Sequence, residues 1–151
     1  MITLNEAKAN WKETVKIGGV CPCCDRFGKI YSRPINESMI RAFLWVWTKY
    51  GTEWVNIPEN APQWLVRTNQ LPTLRWWALV ERDEDCFNKK NSGIWRITEK
   101  GKEFALGRIQ VQKNAITYNG EPIGFEGKMV DINSKYGKFN YHEIMQRVNL
   151  A

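Results

Sequence analysis

The sequence predicts an α+β fold in which helices alternate with short strands around a core spanning residues 37–110. Three observations predict it. Residues 37–50 carry Met39, Ala42, Phe43, Val46 and Trp47 on one helical face, widened by Ile40 and Leu44. Residues 78–81 and 93–97 are two strand-like runs separated by the polar stretch 82–92, which is the pattern of a long-tipped hairpin. Between them, Pro62 and Pro72 each sit where a helix begins, in the first turn, where the missing N–H costs nothing.

The elements follow in order. Residues 1–17 form an amphipathic helix with Leu4, Ala7, Trp11 and Val15 at helical spacing. Thr3 and Glu6 have the spacing of a capping box, and Gly18-Gly19 ends the helix. Residues 20–34 make a compact cysteine-bearing turn with Phe27, Ile30 and Tyr31. Asn36 or Ser38 caps the 37–50 helix, and Gly51 stops it. Residues 54–57 are a short strand. Asn60 is the expected cap of a second helix ending near Thr68, and Thr68 or Asn69 of a third helix over 70–77, with Leu71, Leu74 and Ala78 on one face. Thr98 caps a last helix over 99–106, closed by Gly107. In the tail, residues 115–118 and 122–125 flank Asn119-Gly120, a strong hairpin turn. Residues 129–132 are a further candidate strand, and Phe139, Tyr141, Ile144, Met145 and Val148 suggest a docking helix. The expected division is 1–36, 37–110 and 111–151, packed as one compact unit.

The chain has 151 residues, 43% of them hydrophobic, enough for a real core and too many for a disordered chain. Its net charge of +6 makes nucleic acid a reasonable partner without requiring one. No stretch approaches the roughly 18 apolar residues of a membrane span, and residues 1–12 lack the apolar centre of a signal peptide. The expected location is therefore the cytoplasm, where four cysteines are poor disulfide candidates.

The order helix, strand, helix, helix, strand, tip, strand is that of a winged helix-turn-helix. Leu74-Arg75-Trp76-Trp77-Ala78-Leu79-Val80-Glu81 and Gly93-Ile94-Trp95-Arg96-Ile97-Thr98-Glu99-Lys100-Gly101 resemble the wing strands of MarR-like regulators. The chain is also similar to a group of uncharacterised phage and bacterial proteins. These pair a Cys-Pro-x-Cys turn with such a segment and end in a Phe-x-Tyr-x-x-Ile/Leu tail, here residues 139–144. The resemblance implies a non-enzymatic binding module in a bacterial cell, phage-infected if the gene is a phage's. The scaffold itself serves DNA, RNA and protein partners alike.

Duplex DNA binding would place the third helix in the major groove, with Thr68, Asn69, Gln70, Thr73 and Arg75 toward base edges. Arg82, Lys89, Lys90 and Arg96 would hold phosphates from the wing. Against this, Glu81, Asp83, Glu84 and Asp85 nearly cancel the wing's positive charge, and Trp76 and Trp77 are bulky for a reading helix. Lys89-Lys90 also fits an ordinary solvated loop tip. The alternative partner is a protein, for instance a host component, met through some of the eight tryptophans. Trp45 and Trp47 point to opposite sides of their helix, and the two terminal helices are natural elements for a homodimer.

Cys21-Pro22-Cys23-Cys24 contains a Cys-x2-Cys pair that resembles the knuckle of rubredoxin-like zinc ribbons. Zinc takes four ligands. No second pair exists, so Cys21 and Cys24 would borrow Cys86, with His142 and Cys23 as the remaining donors. Asp25 stands where the knuckle usually has glycine, leaving Gly28 to serve the turn. Alternatively, the cysteines are small buried residues in a metal-free turn. No enzyme is indicated. His142 is the only histidine, Gly18-Gly19 precedes no Lys-Ser/Thr helix start, and 83–85 is an acidic loop run.

Overall fold

The computed structural model describes residues 2–68, 70–83 and 93–132. The architecture is α+β with antiparallel sheets, and the chain divides into two compact units. One comprises residues 1–34 and 113–128, the other residues 35–112 and the described residues from 129 onward; the expected docking helix with Phe139, Tyr141, Ile144, Met145 and Val148 lies outside the described residues.

The first unit opens with helix α1, Leu4–Ile17. Thr3 Oγ1 accepts the Glu6 N–H and Glu6 Oε2 accepts the Thr3 N–H, both at 3.1 Å, so the capping box forms as expected. Strands β1 (Gly19–Val20) and β2 (Phe27–Gly28) pair antiparallel and carry the cysteine turn between them. Strand β3, Ile30–Pro34, lies in the stretch read from sequence as part of a turn. It pairs antiparallel with β7 (Val111–Tyr118), from Ile30 opposite Tyr118 to Pro34 opposite Asn114. Nothing local to residues 30–34 reveals this, because the partner lies 80 or more residues away in sequence.

Strand β8, Glu121–Val130, flanks β7 on its other side. Asn119 and Gly120 both have positive φ, 54° and 80°, which gives the β7–β8 connection the twist of a hairpin turn. The strand segments expected over 122–125 and 129–132 fall in one continuous strand that ends at Val130, short of residues 131 and 132. Trp11 ties α1 to this sheet, its Nε1–H donating to Tyr118 Oη at 3.2 Å. Gly28 lies directly under the Trp11 ring: a Cβ there would stand 2.6 Å from Cζ2. Gly28 therefore serves a close approach and not the cysteine turn.

The second unit holds helix α2, Glu37–Tyr50, with residues 39, 40 and 42–46 buried. Asn36, one of the two expected caps, accepts the Met39 N–H at 2.9 Å. After strand β4, Val55–Asn56, the second helix differs from expectation. It is two pieces, α3 (Ile57–Asn60) and α4 (Gln63–Thr68). Asn56 caps the first, accepting the Glu59 N–H, while Asn60 donates to the Asn56 carbonyl instead of capping. Ala61 separates them in extended backbone (φ −80°, ψ 150°), the conformation that a following proline imposes.

The third helix also differs: Leu71–Trp77 is a 3-10 helix, with no side-chain cap. Its buried face is Leu71, Leu74 and Trp77, spaced by three as that helix demands. Ala78, expected on that face, is exposed and terminates the helix in the left-handed conformation (φ 59°, ψ 27°).

Strands β5 (Val80–Arg82) and β6 (Ile94–Ile97) form the expected hairpin, and β6 is central in a sheet of order β4-β6-β5. Helix α5, Glu99–Ala105, follows. Thr98 Oγ1 accepts the Gly101 N–H at 3.0 Å and donates to the Ala78 carbonyl at 2.6 Å, fixing the helix start against the end of the 3-10 helix. Phe43 and Phe104 meet edge to face at 5.8 Å, at the centre of a core with Leu44, Leu65, Leu71, Leu74, Trp77, Leu79 and Ile97. Each such side chain contributes about 1.5–3 kcal/mol by leaving water. The Trp77 indole N–H is satisfied by the Gln112 carbonyl at 2.8 Å. No helix among the described residues is long and apolar enough to cross a membrane.

Candidate functional site

The residues expected to meet DNA fall into three groups. Asn69, Lys89 and Lys90 lie outside the described residues. Thr68, Gln70 and Thr73 surround the start of the 3-10 helix, but their side chains are engaged with nearby backbone. Thr68 Oγ1 bonds the Trp64 and Leu65 carbonyls at 3.1 and 3.2 Å. Gln70 Nε2 donates to the Thr68 carbonyl at 3.2 Å, and Thr73 Oγ1 to the Gln70 carbonyl at 2.6 Å. These bonds satisfy carbonyls at the end of α4 and the start of the next helix. They hold the side chains along the chain and not outward as a row of base readers.

The arginines form the third group. Arg75 is exposed on the 3-10 helix, and Arg82 is half-buried at the end of β5. Arg96 is committed to neighbours. Its Nε donates to Glu81 Oε1 at 2.5 Å, across the β5–β6 register that sets Glu81 opposite Arg96. Its guanidinium also stacks over the Trp54 ring at 4.3 Å. Glu81, one of the four acids expected to offset the positive charge, therefore pairs with one particular base. A depression of about 310 Å³ adjoins this pair, lined by Thr52, Glu81, Arg96, Ile97, Thr98 and Glu99.

Sequence reading missed two cation–aromatic groupings. In the second unit, the Arg41 guanidinium lies 3.9 Å from the Trp64 ring, and neither Arg41 Nε nor Trp64 Nε1 has a hydrogen-bond partner among the described residues. In the first unit, Lys29 and Arg33 both reach the exposed Tyr31 ring, at 5.3 and 4.4 Å. Their alternate spacing is a strand signal, visible in sequence only once β3 is recognised. Of the tryptophans on α2, Trp45 is buried, whereas Trp47, expected on the apolar face, is only half-buried. Trp76 leans against Trp77 at 6.1 Å and remains half-buried.

The cysteine turn is closed by local hydrogen bonds. The Cys21 N–H donates to the Arg26 carbonyl at 2.8 Å, the Asp25 N–H to the Cys21 carbonyl at 2.9 Å, and the Cys23 N–H to Cys21 Sγ at 3.4 Å. Asp25 has a positive φ, 59°, in the left-handed region that L-residues seldom adopt. The backbone N–H groups of Cys23 and then Cys24 draw the Cys21 thiol below its ordinary value, with the Cys24 and Cys23 side chains adding to the effect and burial opposing it.

Cys21 is half-buried, while Cys23 and Cys24 are exposed; all three are free thiols. The expected burial of Cys21 and Cys24 is thereby corrected: a hairpin of two-residue strands has no interior in which to place them. Cys86 and His142 lie outside the described residues. Among those described, no three His, Cys, Asp or Glu side chains converge as a metal group. Neither a family model, nor a curated protein, nor a solved structure matches the chain.

Proposed function

We propose that residues 35–112 are a winged helix-turn-helix module without enzymatic activity that holds duplex DNA mainly through its phosphates. The observation that carries the reading is topological. A helix, a short strand, three further helical segments and a strand hairpin follow one another, and the return strand β6 lies central in the β4-β6-β5 sheet. In this reading the 3-10 helix and the hairpin stand at the nucleic-acid face. Arg75 and Arg82 supply positive charge there, and the net charge of +6 favours approach to a polyanion.

The local bonds of Thr68, Gln70 and Thr73 favour backbone contact over base readout. Arg96 is not a phosphate contact in this reading, because it serves Glu81 and Trp54. A gel-shift assay at low salt with several unrelated duplexes tests it. Shifts of similar strength for all of them are expected, and no shift for any of them contradicts the reading.

A second reading, a protein partner, is favoured by one feature. Trp54 is 41% exposed and sits with Arg96 and Glu81 beside the depression on this unit. Aromatic and arginine side chains so placed are typical anchors of protein interfaces. A stable complex recovered from host lysate, lost in Trp54→Ala and insensitive to added duplex, would replace the DNA reading.

A further inference from the structure

We propose that Cys21 and Cys24 are half of a tetrathiolate zinc site that a second copy of this chain completes. The turn is built to present two thiols outward. Two-residue strands clamp its ends, the Cys23 N–H supports Cys21 Sγ, and Asp25 turns the chain back through the left-handed region. Paired soft thiolates at this spacing select zinc over the oxygen-seeking cations. Two of them leave the metal two ligands short of a closed tetrahedron.

Among the described residues no three His, Cys, Asp or Glu side chains are grouped to hold a metal ion, and Cys24 is exposed. The open side of a bound ion thus faces outward. A second copy, related by a two-fold axis, brings an identical pair to that side. Four Zn–S bonds then form as the four thiols release their protons to solvent.

The hairpin supplies a second observation for the same occupant. Val20 and Phe27 are cross-strand partners at the base of the turn, and they are 58% and 64% exposed. Side chains opposite each other on an antiparallel pair share a face, so the two make an apolar collar next to the thiols. A copy docking through zinc would cover this collar with its own. The assignment is independent of DNA binding and holds or fails without it.

Zinc content and native mass of the full chain, purified with zinc in the medium, decide the matter. The expected result is about half an equivalent of zinc per chain, in a dimer that chelator splits into monomers. Cys21→Ser and Cys24→Ser should each abolish both the zinc and the dimer. Cys86→Ser and His142→Ala should leave both intact, and Phe27→Ser should weaken the dimer roughly tenfold. One zinc per monomer, loss of zinc in either of those two outlying variants, a dimer indifferent to chelator, or no zinc at all would each overturn the proposal. If a cysteine variant fails to fold, cobalt titration of the wild type still decides. Tetrathiolate absorption that saturates near half an equivalent supports the shared site, and saturation near one equivalent overturns it.

Discussion

Asp25 occupies a backbone conformation that costs an L-residue about 1–2 kcal/mol relative to the right-handed region, with asparagine and aspartate the best tolerated. Asp25→Gly is therefore expected to preserve or raise stability, and Asp25→Val to lower it by about 1–2 kcal/mol. Thermal melting of the two variants checks the difference; equal melting temperatures would contradict it. Arg96 gives a second test at this scale. Because its guanidinium is shared between Glu81 and Trp54, Arg96→Ala should leave duplex affinity within about twofold of the parent, as fluorescence anisotropy would record. The sequence showed Arg96 as one more base on the wing. Its true neighbours became visible only with the strand register that sets Glu81 opposite it.

Among the elements, the most sharply constrained is the start of α5. Thr98 caps the helix and also bonds the Ala78 carbonyl, so Thr98→Ala removes two interactions at once. A loss of about 1–2 kcal/mol is expected. Gly101, in the first turn, has no room for a side chain, since a Cβ would fall 2.1 Å from the Leu79 carbonyl oxygen. Gly101→Ala should therefore cost about 2–3 kcal/mol through overpacking, although alanine is the better helix former. Urea denaturation of both variants reads these values, and an unchanged midpoint for Gly101→Ala would show that the close approach is wrong.

Helix starts were legible because capping is local chemistry. The pattern around Thr3, Asn36 and Thr98 identified the caps that form. Pro62 imposes the break at Ala61, but Asn60, a good capping residue, points equally to a helix start there. The 3-10 character of residues 71–77 was hidden because Leu71 and Leu74 fit either helix; only Trp77 inward and Ala78 outward separate the two.

At the scale of the molecule, the two units were not legible from sequence because one of them is discontinuous. Residues 1–34 and 113–128 join through β3 pairing with β7, a contact whose sequence separation leaves no local mark. The residues of the candidate DNA face were found by residue type and spacing alone. Their engagement with local backbone depends on a helix type and a chain break that those signals do not encode.

The binding proposal rests on charge supplied by arginine and lysine, so its strongest consequence is a dependence on salt. Each phosphate contact made by a cation releases condensed counterions, and the logarithm of affinity falls linearly with the logarithm of salt concentration. The most direct measurement is the slope of that line, from anisotropy of a labelled duplex titrated across a range of salt, for the parent chain and for Arg75→Ala and Arg82→Ala. The account predicts a negative slope shared by unrelated duplex sequences, made shallower by about one in each variant. A slope near zero, or a slope that neither substitution changes, would contradict it.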